Sequence, residues 1–205
     1  LWARQAVDAS RQAGFFRNQV LSALLLAWAV MLRGDAPGAL SSLETAEQVA
    51  RKGGAQVTQW THGAIITPGL VQFSTGDWDK AEMELLKCLE TSKQTHHVGV
   101  ELTWVTPALG WLYMERGDLA SAKLHLQESV TISHASGYKT AQLSLSPLVA
   151  QIATRDGELH EAAAHLRRAK EIISSGEDWL GLAAEVDMAE GVLATGRKHW
   201  QEAEA

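Results

Sequence analysis

The sequence is poor in cysteine and in long apolar runs, and both shortages limit what the chain can be. Cys88 is the only cysteine in 205 residues, so the chain forms no internal disulfide, and we expect a reducing cytoplasmic location. The most apolar run, Val20–Leu32, has 13 residues, whereas a membrane-spanning helix needs about 20. No signal peptide is visible at the N-terminus. We therefore expect no membrane partner.

Basic residues and catalytic motifs are also scarce. The 18 lysines and arginines are outnumbered by 24 acids, giving a net charge of -6; nucleic-acid-binding domains usually carry a basic face. No Gly-Lys-Ser/Thr phosphate loop occurs. The histidines form no metal-ligand pattern: His96 and His97 fall at an expected turn, and His160 and His165 do not share a helix face. We expect no enzyme, metal, cofactor or direct nucleic-acid binding.

A repeat with a period of about 40 residues runs through the chain. Its marker is a glycine followed by an acid, at Gly34-Asp35, Gly76-Asp77, Gly117-Asp118 and Gly157-Glu158. An alanine lies five residues after each glycine, and a leucine lies four residues after the alanine. One small residue lies three residues after the leucine, and another lies seven residues before the glycine. These are Ala39, Ala81, Ala122 and Ala162; Leu43, Leu85, Leu126 and Leu166; Ala46, Cys88, Ser129 and Ala169; Ala27, Gly69, Gly110 and Ala150. A weaker fifth copy contains Ala189, Gly196 and Ala203.

The chemistry of these positions predicts pairs of helices joined by a turn. Apolar residues fall at helical spacing on both sides of each glycine. The glycine is expected to end the first helix in a left-handed conformation, and the acid to cap the second helix. Small residues allow the two backbones to approach, and the leucines fill the layer between neighbouring helices. Since one pair cannot bury its apolar face alone, the pairs are expected to stack.

This reading predicts the helix boundaries along the chain. First helices are expected at Phe15–Arg33, Gln56–Thr75, Val98–Arg116, Lys139–Arg155 and Asp178–Thr195. Second helices are expected at Leu1–Ala13, Pro37–Lys52, Trp78–Thr95, Leu119–Ser136 and Leu159–Ser175, with another opening at His199. Turns between pairs are expected at Gly53-Gly54, Gly137 and Gly176. Pro68, Pro107 and Pro147 either bend the first helices or delay their start; alternatively, they set the curvature of a groove.

One pair carries a resemblance to a known family. The small-Tyr-Gly-Ala-large-small pattern resembles the tetratricopeptide repeat signature and is carried by Leu109, Gly110, Tyr113, Gly117, Ala122, Leu126 and Ser129. The resemblance implies an all-α fold, a right-handed superhelical solenoid of antiparallel helix pairs, with about four full repeats and partial ones at both ends. We expect one domain over residues 1–205, as a fragment of a longer protein, because the chain begins at Leu1 and ends in an apparent helix.

The pattern departs from that family in three respects. The repeats span about 40 residues instead of about 34, tyrosine occurs in one copy only, and the closing proline is missing. Long repeats with this general pattern of residues resemble the helical-repeat region of MalT-like and LuxR-type bacterial transcription regulators and of ATPase-coupled nucleotide cyclases.

The resemblance also implies a binding groove along the first helices. Positions facing this groove would be Trp28, Met31, Leu70, Phe73, Trp104, Trp111, Met114 and Gln151. Aromatic residues and methionines anchor peptides and helices, but tryptophans in helical repeats also pack neighbouring pairs together. Both readings of this stripe stay open.

The expected function is a non-catalytic protein-interaction or regulatory scaffold, within a cytoplasmic bacterial regulator of transcription or signal transduction. Its partner would be a protein, a peptide or another domain of the same chain. The alternative is a sensing domain that binds a small molecule or peptide in the concave groove. A third reading, a helical-hairpin glycosidase, lacks a convergent pair of acids.

Overall fold

The computed structural model describes residues 2–53, 66–94, 101–175 and 181–197, and within these ranges it contains ten α-helices and no strand. The helices are α1 (Trp2–Gln12), α2 (Phe16–Met31), α3 (Ala36–Gly53), α4 (Ile66–Ser74), α5 (Trp78–Gln94), α6 (Thr106–Glu115), α7 (Leu119–Ala135), α8 (Lys139–Arg155), α9 (Leu159–Ile173) and α10 (Leu182–Gly196). The predicted all-α class is confirmed. No helix in the described ranges is long and apolar enough to cross a membrane.

The chain divides into two compact units, residues 1–96 and 97–205. In the first unit, α2 and α3 pack around a core that includes Ala27 and Leu43. In the second unit, α8, α9 and α10 share a core that includes Ala150, Leu166 and Val186. Each unit therefore has its own apolar centre, and the expectation of one continuous domain stays a prediction.

The glycine joints close as predicted. Gly34, Gly76, Gly117 and Gly157 have φ angles of 77, 86, 77 and 83°, in the left-handed region. At the α6–α7 joint, the amide of Asp118 donates to the carbonyl of Tyr113 at 2.9 Å, and the amide of Gly117 to that of Met114 at 3.0 Å. This pair of bonds satisfies the last carbonyls of the first helix.

The small positions allow the close approach that the repeat predicts. The four alanines that follow the joints are completely buried: Ala39, Ala81, Ala122 and Ala162. A Cβ atom on Gly69 would lie 2.7 Å from the side chain of Leu85, and one on Gly110 would lie 2.7 Å from Leu148. A side chain at either glycine would displace the leucine that packs on the helix backbone, although alanine occupies the same repeat position at Ala27 and Ala150.

Capping by the acid is confirmed at three joints and wrong at the fourth. Asp35, Asp77 and Asp118 each accept a hydrogen bond through Oδ1 from the amide three residues on, at 2.9, 3.3 and 3.0 Å. Glu158 makes no such bond with α9. Its side chain is one methylene longer and extends away to Lys123 on α7.

The weaker fifth copy does not have the expected joint. Gly196 is the last residue of α10 and is not among the glycines with positive φ. A Cβ atom there would lie 2.7 Å from the methyl group of Thr154. The glycine is therefore required by the close packing of α10 against the end of α8, and not by a turn.

The prolines have different effects on their helices. α6 starts at Thr106, directly after a π-helical turn at Glu101–Val105, and Pro107 is its second residue. Val105 already has helical dihedral angles, so Pro107 lies within a continuous helical segment, where a proline removes a backbone donor. Pro147 lies inside α8, whose bounds match the predicted Lys139–Arg155. The predictions for residues 56–65, Gly54, His96, His97, Gly176, His199 and Ala203 fall outside the described residues.

Candidate functional site

The predicted groove residues differ widely in exposure. In the first unit Trp28, Met31, Leu70 and Phe73 are half-buried. Met31 packs against the α2–α3 core, and the ring centroid of Phe73 lies 6.3 Å from that of Trp78. Met31 and Phe73 thus have internal packing partners, and the part of all four residues in a binding groove stays a prediction.

In the second unit the predicted groove residues range from exposed to fully buried. Trp104 is 48% exposed, Trp111 is half-buried, Gln151 is 4% exposed and Met114 has no exposed surface. Packing therefore accounts for Met114. Gln151 is less easily explained, because its buried Nε2 has no hydrogen-bond partner. Of the four, Trp104 has the most surface available to a partner.

A different part of the second unit forms a cleft. It has a volume of about 340 Å³ and lies between the second helices α7 and α9, above the first helix α8. We call it the α7–α9 cleft. Its apolar floor is formed by Leu126, Val130, Val149, Ile152 and Ala153, and its polar lining by Lys123, Gln127, Thr131, Glu158, Glu161 and His165. None of these residues was predicted to bind a partner.

A lysine and two acids close one end of the α7–α9 cleft. Lys123 Nζ donates to Glu158 Oε2 at 2.8 Å and also contacts Asp156 Oδ2. These hydrogen bonds raise the pKa of Lys123 above its usual value. The bond from Lys123 lowers the pKa of Glu158. The charged forms are thus favoured on both sides, although exposed pairs of this kind add little to stability.

Glu161 adds a third carboxyl group at this end. A hydrogen bond with Glu158 raises the pKa of Glu161, and partial burial and the negative charge of Glu158 act in the same direction. The charges of two neighbouring carboxylates repel each other, and this repulsion makes the second carboxyl group harder to ionise. Three acids, Asp156, Glu158 and Glu161, therefore face one lysine.

His165 lies further along α9 with an unused ring nitrogen. Its side chain is 12% exposed, and its Nε2 is 3.9 Å from Glu161 Oε1. Its buried Nδ1 has no hydrogen-bond partner. Burial lowers the pKa of His165, and the charges of Arg168 and His134 lower it further. The ring is therefore neutral at pH 7 and does not repel a cation.

The sequence contains one sign of this cleft, a departure from the repeat. Six residues after its joint glycine the third copy has Lys123, where the other copies have Leu40, Glu82 and Ala163. A cation at this single place indicates a local charge pair. Its partners lie 33 and 35 residues away in the sequence, so the repeat pattern alone does not identify them.

Two further observations concern groups with possible chemical reactivity. Cys88 is 1% exposed, and burial raises the pKa of its thiol to about 11, so the group is a packing residue and a poor nucleophile. Among the described residues, no three His, Cys, Asp or Glu side chains are placed to hold a metal ion. The expectation that no metal binds stays a prediction.

Comparison with known proteins does not assign the chain to a family. No protein-family model matches it, and no curated protein matches it either.

Proposed function

We propose that the chain is a non-catalytic binding module built from tetratricopeptide-like helix pairs. Its pairs would stack in a right-handed superhelical solenoid, as the repeat region of a bacterial regulator of transcription or signalling in the cytoplasm. The observation that carries this proposal is the repeated joint. Four glycines with left-handed φ angles are each followed, five residues later, by a fully buried alanine.

Repeated helix pairs of this kind favour binding over catalysis for a physical reason. Stacked pairs use their small residues for mutual packing and leave whole helix faces for a partner. Trp104, at 48% exposure, is a large aromatic side chain of the type that dominates binding energy at protein interfaces. A protein or peptide is therefore the partner we propose.

A peptide library displayed on phage and selected against the chain tests this function. Selected peptides should bind in solution, and Trp104→Ala should weaken their binding while circular dichroism shows unchanged helicity. Leu124→Ala is the matched control, because Leu124 is an exposed apolar residue on α7 outside the predicted stripe. A chain that selects no peptide, or peptides that bind both variants equally well, would argue against a groove containing Trp104.

The α7–α9 cleft favours a second function, sensing of a small ligand. Its volume of about 340 Å³ lies near the lower end of the range for small-molecule sites, roughly 300–1,000 Å³. It also combines an apolar floor with a few polar groups, as such sites do. Intrinsic tryptophan fluorescence separates the two functions: a sensor responds to small molecules, whereas a scaffold responds only to peptides or proteins.

A further inference from the structure

We propose that the α7–α9 cleft binds an alkylammonium ion, with Glu161 as the counter-ion and the apolar floor under the alkyl chain. This inference rests on the second function proposed above and names its ligand class. Free amines and lysine side chains carry the same group, and the experiment below distinguishes the two sources.

The charged side chains at the end of the cleft determine whether the ligand should be a cation or an anion. Lys123 donates hydrogen bonds to Asp156 and Glu158, so the third acid, Glu161, has only a longer-range attraction to this lysine. Glu161 also forms a hydrogen bond with Glu158, and its Oε1 lies 3.9 Å from His165 Nε2. An anion would face surplus negative charge here, whereas a cation would relieve the repulsion between the two glutamates.

The apolar floor of the cleft indicates which group should be attached to the cationic head of the ligand. Val130, Val149 and Ile152 line the cavity beside the charged end. An inorganic cation would leave this apolar surface in contact with water, whereas a short alkyl chain would cover it. A cavity of about 340 Å³ is large enough for a five-carbon amine. The preferred ligand therefore has a cationic head and a short apolar body.

His165 supplies a further polar group without opposing the charge. Its Nε2 lies 3.9 Å from Glu161 Oε1, so both groups are close enough to contact one ligand head group. Because the ring is neutral at pH 7, one of its nitrogens is an acceptor. An ammonium group can donate to such a nitrogen as well as to Glu161.

The test is calorimetric titration of the intact chain with pentylamine, pentan-1-ol and pentanoate. The three probes have the same chain length and differ in the charge of the head group. Pentylamine should bind most tightly, because it alone carries a positive head group. Equal binding of pentanol and pentylamine, stronger binding of pentanoate, or no binding of pentylamine would each overturn the proposal.

Variants locate the site. Glu161→Gln should weaken pentylamine binding at least about tenfold, because it removes a charge-assisted hydrogen bond. Glu171→Gln is the matched control: it removes an exposed glutamate from the same helix, outside the cleft. Circular dichroism confirms that both variants fold. If the two variants bind pentylamine with the same affinity as the native chain, the proposal is wrong.

A fourth probe identifies the source of the ammonium group. If Nα-acetyl-lysine methylamide binds as tightly as pentylamine, the cleft accepts a lysine side chain of a peptide; weaker binding indicates a free amine. Both results support the alkylammonium site. If no amine binds while the chain still selects peptides through Trp104, this inference fails and the binding function stands.

Discussion

Two joints of the second unit have the same backbone and use their acid differently. At the α6–α7 joint, Asp118 accepts the amide of Ser121 at 3.0 Å and so caps α7. At the α8–α9 joint, Glu158 leaves α9 without a side-chain cap and receives a hydrogen bond from Lys123 on α7. Gly117 and Gly157 nevertheless have similar φ angles of 77 and 83°.

The comparison shows which part of the joint is required by the fold. The backbone bonds that close the turns match: Asp118 and Glu158 donate to carbonyls five residues back at 2.9 and 2.8 Å. The glycine and the buried alanine are therefore structural requirements. The acid is not, because one methylene more allows it to leave the helix terminus and line a cleft.

Enlarging the buried alanine should have the largest effect and should affect both joints equally. Ala122→Leu and Ala162→Leu each place three extra carbons where no surface is exposed, which should lower the free energy of unfolding by about 1–3 kcal/mol. Chemical denaturation measures this. Unchanged stability in either variant would mean that the repeat positions are wrongly aligned.

Replacing the joint glycines should have the next largest effect. Gly117→Ala and Gly157→Ala add a Cβ that meets nothing within 4 Å, so only the left-handed backbone is strained, at a cost of about 1–2 kcal/mol each. Thermal unfolding should show similar losses for the two variants. A large difference between them would contradict the equivalence of the two turns.

Acidification should destabilise the second unit through two of its histidines, His134 and His165. Burial lowers the pKa of both His134 and His165, so the folded chain binds protons less readily than the unfolded chain. The resulting stability is complete above the ordinary pKa of 6.5 and is lost as pH falls through the lowered values. The raised pKa of Glu161 acts in the opposite sense, by favouring the folded state at low pH.

Thermal unfolding between pH 7 and pH 5 measures this dependence. The unfolding temperature should fall with pH, and His165→Gln should make the fall shallower. His160→Gln is the control, because His160 is exposed on the same helix. An equal slope in all three proteins would show that His165 makes no contribution.

The sequence predicts the parts of the fold that depend on local chemistry. The joint glycines, the buried alanines and the bounds of α8 follow from residue type and spacing. The burial of Met114 does not follow in this way, since it depends on how α6 packs against its neighbours. The cleft does not either, because Lys123 meets acids that belong to the next helix pair. Repeats reveal what their copies share, whereas this site is built from residues that differ between copies.

The central claim is that the acid after the joint glycine can either cap the second helix or line the cleft. Exchanging the acids at positions 118 and 158 tests this claim most directly. Glu158→Asp should cap α9 as Asp118 caps α7, and hydrogen exchange of the Glu161 amide should become slower. Asp118→Glu should remove a cap, and exchange of the Ser121 amide should become faster. Unchanged exchange at both amides would contradict the account, because the acid would then have no influence on the helix termini.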